Sequence, residues 1–148
     1  MIIRKAILDD MADAAMVHII ARRVNLSYLP ELHSRDETMG YFLSEVYPKS
    51  RVWVSQTEDG LITGFVAATP GWIDHLYILP DFQGSGIGGQ LLDLAREGEQ
   101  EMHLWSFQRN ARARRFYENR GFRVVRETDG SGNEEKEPDV LYAWKREP

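Results

Sequence analysis

The chain has no cysteine. That removes disulfides, thiolate metal ligands and a cysteine nucleophile together. No apolar run approaches the roughly 18 residues a membrane helix needs, and Met1-Ile2-Ile3-Arg4-Lys5 opens no signal-peptide core. A cytoplasmic protein without a membrane partner is the expectation. His18, His33 and His103 show no metal-ligand spacing with one another or with a carboxylate pair, so no metal is expected. No repeat, low-complexity segment or linker breaks the chain.

What is present is ordinary in bulk. The 148 residues suit one domain spanning 1–148, and 43% apolar with 28% charged residues fits a globular protein. A net charge of −5 speaks against nucleic acid as a partner. Its distribution says more: seven arginines face one acid, Glu118, from Arg109 to Arg126. From Glu127 to Asp139 six acids face Lys136 alone. These are either two solvated surfaces or a basic edge for a phosphorylated cofactor beside an acidic edge for a cationic substrate.

Ile2–Lys5 is expected as a strand, then a helix capped by Asp9 or Asp10 through Arg23. A second helix over Asp36–Tyr47 would set Met39, Phe42, Leu43 and Val46 on one side, with Pro48 stopping it. Arg51–Gln56, Leu61–Thr69 and Trp72–Leu79 form a meander with turns at Glu58-Asp59-Gly60 and Pro70-Gly71. Gly86–Gly98 is a helix with Ile87, Leu91, Leu94 and Ala95 inward. Met102–Ser106 is a strand, Asn110–Asn119 a helix, and strands through Arg126 and over Val140–Trp144 close the chain. The order β-α-α-β-β-β-α-β-α-β-β indicates one α/β domain. Trp53, Trp72, Trp105 and Trp144 fall in strands, as core or pocket wall.

The sharpest feature is Leu79-Pro80-Asp81-Phe82-Gln83-Gly84-Ser85-Gly86-Ile87-Gly88-Gly89, between a strand and a helix. Four glycines in six residues weaken a helix start by up to about 1 kcal/mol each relative to alanine. An anion approaching the backbone closely, on the exposed N–H groups and the positive helix end, offsets that; a plain flexible loop is the bland alternative. Gly84, Gly86 and Gly89 satisfy G-x-G-x-x-G, yet a dinucleotide fold fails here. Four residues separate the strand from the first glycine, and the next strand ends in Ser106-Phe107-Gln108 without a ribose-binding acid. No Gly-Lys-Ser/Thr follows, which excludes a nucleotide-triphosphatase loop.

At Gln83-x-x-Gly86-x-Gly88 the sequence resembles the GNAT superfamily of CoA-dependent N-acetyltransferases, at that family's usual strand-to-helix junction. The resemblance implies a central mixed, mostly antiparallel sheet flanked by helices. It implies acetyl-CoA as co-substrate, its pyrophosphate held by the turn formed by Gln83, Gly84, Ser85, Gly86, Ile87, Gly88 and Gly89. The backbone of Leu76 and Ile78 would pair with pantetheine, one amide polarising the thioester carbonyl. Asn110-Ala111-Arg112-Ala113-Arg114-Arg115-Phe116-Tyr117-Glu118-Asn119-Arg120-Gly121-Phe122 looks like the family's second signature. It implies cofactor contacts from Asn110 and Arg114, and a Tyr117 phenol beside the thioester sulfur, fit to protonate the leaving thiolate. Core packing of Tyr117 and helix capping by Asn110 are the plain alternatives. Dimers are common in the family, so a homodimer is a further expectation.

A protonated amine cannot attack a thioester, so the acceptor needs a base or a water path. Asp74 and His75 are the candidates on the preceding strand. Strict alternation puts them on opposite faces, Asp74 with Trp72, Leu76 and Ile78, unless a bulge shifts the register. His18, His33 and His103 are read as surface or core. The segment Thr128–Asp139 is either a disordered polar loop or a set of acids that orient a cationic amine. The resulting expectation is acetyl transfer to a small-molecule or peptide amine in a ternary complex. A non-catalytic acyl-CoA-binding module is the alternative.

Overall fold

The computed structural model describes residues 1–148. The fold is α/β, a seven-stranded mixed sheet flanked by helices, with strand order β1-β2-β3-β4-β5-β7-β6. The chain parts into two compact units: Met1–Thr69 with Ile73–Glu97, and Pro70–Trp72 with Gly98–Pro148. No helix is long and apolar enough to cross a membrane.

In the first unit, β1 (Ile2–Lys5) pairs antiparallel with β2 (Arg51–Gln56), which pairs antiparallel with β3 (Ile62–Thr69). Gly60, at φ +94°, turns the chain between β2 and β3. Val52 and Val54 oppose Ala67 and Phe65 across the ladder, and this face packs with α1 (Met11–Asn25) through Met11, Ala14 and Ala15. β3 is buried on both faces apart from Thr69, as its near-continuous apolar run requires. On its other face lies α4 (Ile87–Arg96), burying Ile87, Leu91, Leu92 and Ala95; Leu92 takes the inward place expected of Leu94.

Asp10 does not cap α1 with its side chain. Its carboxylate instead accepts from the Ile7 N–H at 2.8 Å and from both terminal nitrogens of Arg4 at 2.8 and 2.9 Å. α2 (Arg35–Tyr41) opens on a capping box, a reciprocal pair between Ser34 and Glu37. It continues as a π-helical stretch over Phe42–Val46 and a last turn, α3 (Tyr47–Lys49). Pro48 has no N–H, and its ring crowds the carbonyl four residues back; the widened turn just before it accommodates that. One consequence corrects the expected inward stripe, because Phe42 and Val46 are buried while Leu43 is 45% exposed.

β4 (Trp72–Ile78) follows the Pro70-Gly71 turn, with Gly71 at φ +78°. That two-residue turn sets Trp72 opposite Thr69, and at the far end the Leu79 N–H donates to the Thr63 carbonyl at 2.8 Å. β4 therefore holds one more residue between those points than β3 does, which is a bulge. Side chains agree. Phe65 and Thr69 share a face of β3; the Thr69 hydroxyl donates to Asp74 at 2.8 Å, while the His75 ring lies 6.3 Å from Phe65. Successive residues Asp74 and His75 thus address one face, where strict alternation puts them on two.

In the second unit, β5 (Glu101–Phe107) pairs antiparallel with β7 (Asp139–Lys145), and β7 with β6 (Arg123–Thr128). Trp72, the first residue of β4, pairs parallel with His103. Met102, Leu104, Val140 and Tyr142 are buried with Tyr117 and Phe122. Gly121, at φ +90°, ends α5 (Ala111–Glu118). Trp72 and Trp105 are 37% and 43% exposed, the latter under the Arg126 guanidinium, so neither is core.

The segment from Thr128 to Asp139 is knitted together. Asn133 Nδ2 donates to the Glu137 carbonyl at 2.7 Å and to Asp139 at 3.1 Å, and Gln108 Nε2 donates to the carbonyls of Thr128 and Asp139. Glu137 receives Arg109 bidentately at 2.7 and 2.8 Å, and Asp139 is buried against the Thr128 hydroxyl. Those two acids serve the loop itself.

Candidate active site

The glycine turn begins with a 3-10 turn over Pro80–Phe82. Gly84 and Gly86 then take φ of +80° and +89°, conformations that cost an L-residue about 1–2 kcal/mol. Gly86 is the N-cap of α4, and no side chain caps that helix. A Cβ on Gly86 would meet no atom within 4 Å, so protein packing does not demand the glycine. The first-turn amides of α4 face an open approach with a partial positive charge. Such a cradle fits a diphosphate.

The neighbouring side chains hold the turn in shape. Ser85 Oγ donates to the Phe82 carbonyl at 2.6 Å, and Ile87 is buried, which leaves backbone groups as the contribution of both residues. Gln83 Nε2 donates to the Ile78 carbonyl at 3.0 Å and to Asn25 Oδ1, on the last residue of α1, at 2.8 Å. Nothing in the sequence signals Asn25. Counting back from Leu79, whose amide points at β3, alternation turns the amides of Ile78 and Leu76 toward the opposite edge of β4.

Asp74 and His75 differ in environment although they share a face. Partial burial holds the Asp74 carboxyl above its ordinary value, against hydrogen bonds from Thr69 that pull it down. His75 packs among Phe42 at 5.5 Å, His18 at 5.5 Å and Tyr77 at 6.4 Å. Burial, and secondly the charge of Arg22, lowers its pKa to about 4. His18 is lowered to about 3 by burial, then by His75 and Arg22. Sequence reasoning missed this ring cluster, although Phe42 stood on a predicted helix stripe and His18 was read as surface or core. His33 lies at the surface, 4.0 Å from Glu37, and half-buried His103 stacks obliquely on Trp72.

In the second unit Asn110 caps α5, its Oδ1 accepting from the Ala113 N–H at 3.2 Å. That bond fixes the amide plane and directs Nδ2 away from the helix. Tyr117 is 8% exposed, its ring edge-on to Phe116 and Phe122 at 5.1 and 5.5 Å. Arg114 is engaged within its own unit: it donates to the Tyr142 hydroxyl at 2.9 Å and lies 3.7 Å from Glu118 and 3.4 Å from Glu127. Tyr142 in turn donates to Glu118.

Residues 48–124 match the acetyltransferase (GNAT) domain. An uncharacterized N-acetyltransferase of Archaeoglobus fulgidus is 32% identical, covering 89% of this chain and 99% of that protein. The peptidyl-lysine N-acetyltransferase YjaB of Salmonella typhimurium is 31% identical over 56% of this chain and 57% of its own length. The crystal structure of PaiA N-acetyltransferase from Thermoplasma acidophilum, in complex with coenzyme A, has the same fold. Its TM-score is 0.74 at 19% identity over 98% of both chains. The matched domain, the near-full-length relative and the shared fold agree: this chain is an acyltransferase of the GNAT acetyltransferase family.

Proposed function

We propose that residues 1–148 act as one catalytic domain that moves the acetyl group of acetyl-CoA directly to a primary amine in a ternary complex. The observation that carries this reading is the uncapped N-terminus of α4 behind Gly86 at φ +89°. Backbone donors and a helix dipole with no side-chain partner suit a pyrophosphate. The turn Gln83–Gly89 holds that group through its amides. The edge amides of Leu76 and Ile78 pair with the pantetheine arm, and one of them polarises the acyl carbonyl. Asn110 Nδ2 donates to the same arm.

Direct transfer is favoured because the chain has no cysteine to carry an acyl group. The amine nitrogen forms its bond to the acyl carbon as the carbon–sulfur bond breaks. Asp74 takes the proton the amine loses, since its side chain reaches solvent whereas the His75 ring is packed among Phe42, His18 and Tyr77. Tyr117 returns a proton to the departing sulfur. An amine acceptor is also what the name of YjaB, a peptidyl-lysine acetyltransferase, describes for that relative.

Release of CoA thiol from acetyl-CoA, across a panel of small amines and a lysine peptide, tests the reading, with mass spectrometry of the acetylated amine. Acetyl-CoA binding without turnover on any amine would instead identify a non-catalytic acyl-CoA-binding module. Absence of binding would overturn the cofactor assignment.

A further inference from the structure

α5 carries its charges against its own dipole. Its first turn holds Arg112 and no acid, at the helix end that disfavours cations. Arg114 pairs with Glu118 four residues on, and a cation ahead of an acid is the weaker order for such a pair. Helix stability therefore does not account for these two residues. What they share is a target, the hydroxyl of Tyr142 on β7, a side chain that is 0% exposed. Arg114 Nε donates to that oxygen at 2.9 Å, and the hydroxyl donates onward to Glu118 Oε2. A guanidinium only donates and a carboxylate only accepts, so the two bonds run in one direction and fix the phenol. Burial, then the bond to Glu118, holds the Tyr142 pKa above its ordinary value, so the donated proton is retained.

The same guanidinium reaches further. Its Nη1 donates to the carbonyl of Gln108, just past β5, and its Nη2 to Glu127 on β6, both at 3.4 Å. One side chain thus ties α5 to β6, to β7 and to the exit of β5. Arg114, Tyr117 and Glu118 stand at i, i+3 and i+4 and share one helical face. Tyr117 lies between the two anchors, its ring tilted 40° to that of Tyr142 at 6.4 Å. Tyr142 itself is held in the sheet, opposite Leu104 on β5 and Val124 on β6. Any rotation or slide of α5 that moves the Tyr117 ring must break the bonds at Tyr142.

We infer that Arg114, Tyr142 and Glu118 are positioning residues, a clasp that sets the rotation and depth of α5 and so the place of the Tyr117 phenol. The inference rests on the reading of Tyr117 as the acid that protonates the departing sulfur. None of the three takes part in the bonds that form or break. Proton transfer needs the two heavy atoms at about 2.6–3.2 Å, and a misplacement of about 1 Å costs on the order of a hundredfold in rate. Asn110 is fixed separately, by its cap to Ala113, so loosening the clasp acts on the chemical step and spares cofactor binding.

Tyr142→Phe keeps the buried ring and removes the hydroxyl. With an amine that wild type acetylates, it should lower kcat about tenfold and leave both KM values within about twofold. In a Tyr117→Phe background the same change should alter kcat by less than about twofold, because no phenol is left to misplace. Glu118→Gln keeps an acceptor for Tyr142 and should hold kcat within about threefold of wild type, whereas Glu118→Ala should match Tyr142→Phe. An unchanged kcat in Tyr142→Phe, an equal loss in both backgrounds, or KM values that rise with the fall in kcat would overturn the positioning role. Hydrogen exchange tests the clasp without turnover. The amides of residues 114–118 should exchange about tenfold faster in Tyr142→Phe than in wild type. Full kcat in Tyr117→Phe would sink the acid reading, whereas unchanged exchange in Tyr142→Phe would sink the clasp.

Discussion

Mild acid should destabilise this protein well before its carboxylates protonate, because of His18 and His75. Their folded pKa values are pushed down to about 3 and about 4, chiefly by burial, from the ordinary 6.5. The sign follows from linkage: the unfolded chain binds protons that the folded chain refuses. The stability tied to the two neutral rings is therefore complete above pH 6.5 and is lost as pH falls toward the folded values. Each such histidine loses about 1.36 kcal/mol per pH unit within that window. From pH 6.5 to 4.5, with the slope still rising at the upper end, that amounts to about 2 kcal/mol each and about 4 kcal/mol together, a large share of the roughly 5–15 kcal/mol of a typical domain.

Asp74 works in the opposite direction, since a raised carboxyl favours the folded state as pH falls. Comparison with variants isolates the imidazoles. Urea midpoints at pH 7.5, 6.5, 5.5 and 4.5 would be measured for wild type, His18→Phe and His75→Phe. Wild type should lose most of its stability across this range, and each variant should show about half the slope. A wild-type midpoint that holds from pH 7.5 to 5, or equal slopes in all three proteins, would refute the argument.

Gly86→Ala places a methyl in open space, so its structural cost is the left-handed backbone alone, about 1–2 kcal/mol. A Tm lower by about 2–8 °C is expected, with calorimetric CoA affinity reduced more than tenfold; retained affinity would remove the anion from the turn. Tyr117→Phe should lower kcat about a hundredfold and leave CoA affinity alone, and an unchanged kcat would show that the phenol is not the acid. Arg4→Met strands the Asp10 carboxylate, whose side chain is 9% exposed, with only the Ile7 N–H. Chemical denaturation should report a loss of about 2–3 kcal/mol, partly recovered by adding Asp10→Asn, and a loss under 0.5 kcal/mol would mean the pair is dispensable.

Features whose cause is local were legible in the sequence. Gly60, Gly71, Gly86 and Gly121 all take positive φ where turns or helix ends were expected, because the conformation belongs to the residue itself. The Gln83–Gly89 cradle was legible for the same reason. Leu43 was not, since an inward stripe assumes a constant helical period and the π-helical stretch before Pro48 changes it. The knit of Thr128–Asp139 depends on Asn133, Gln108 and Arg109 reaching across the fold, and composition carries no trace of that. The His18 cluster needs α1, the α2 stretch and β4 to converge, which no single element's spacing shows, so His18 read only as surface or core and His75 only as a candidate base.

The bulge in β4 changes most for the chemistry. Alternation alone separates Asp74 from His75 and makes them competing candidates on two faces. With one extra residue in β4 both address the same face, and their surroundings then divide the work. Burial raises the carboxyl and lowers the imidazole, so the two pKa values move toward each other from opposite sides. His75, lowered to about 4, remains uncharged at neutral pH, while partial burial moves the Asp74 carboxyl upward. In the proposed reaction Asp74 is the proton acceptor, and His75 stays a neutral ring packed among Phe42, His18 and Tyr77. A one-residue register change that no periodicity reveals thus puts both candidates on one face, where their surroundings and not alternation tell them apart.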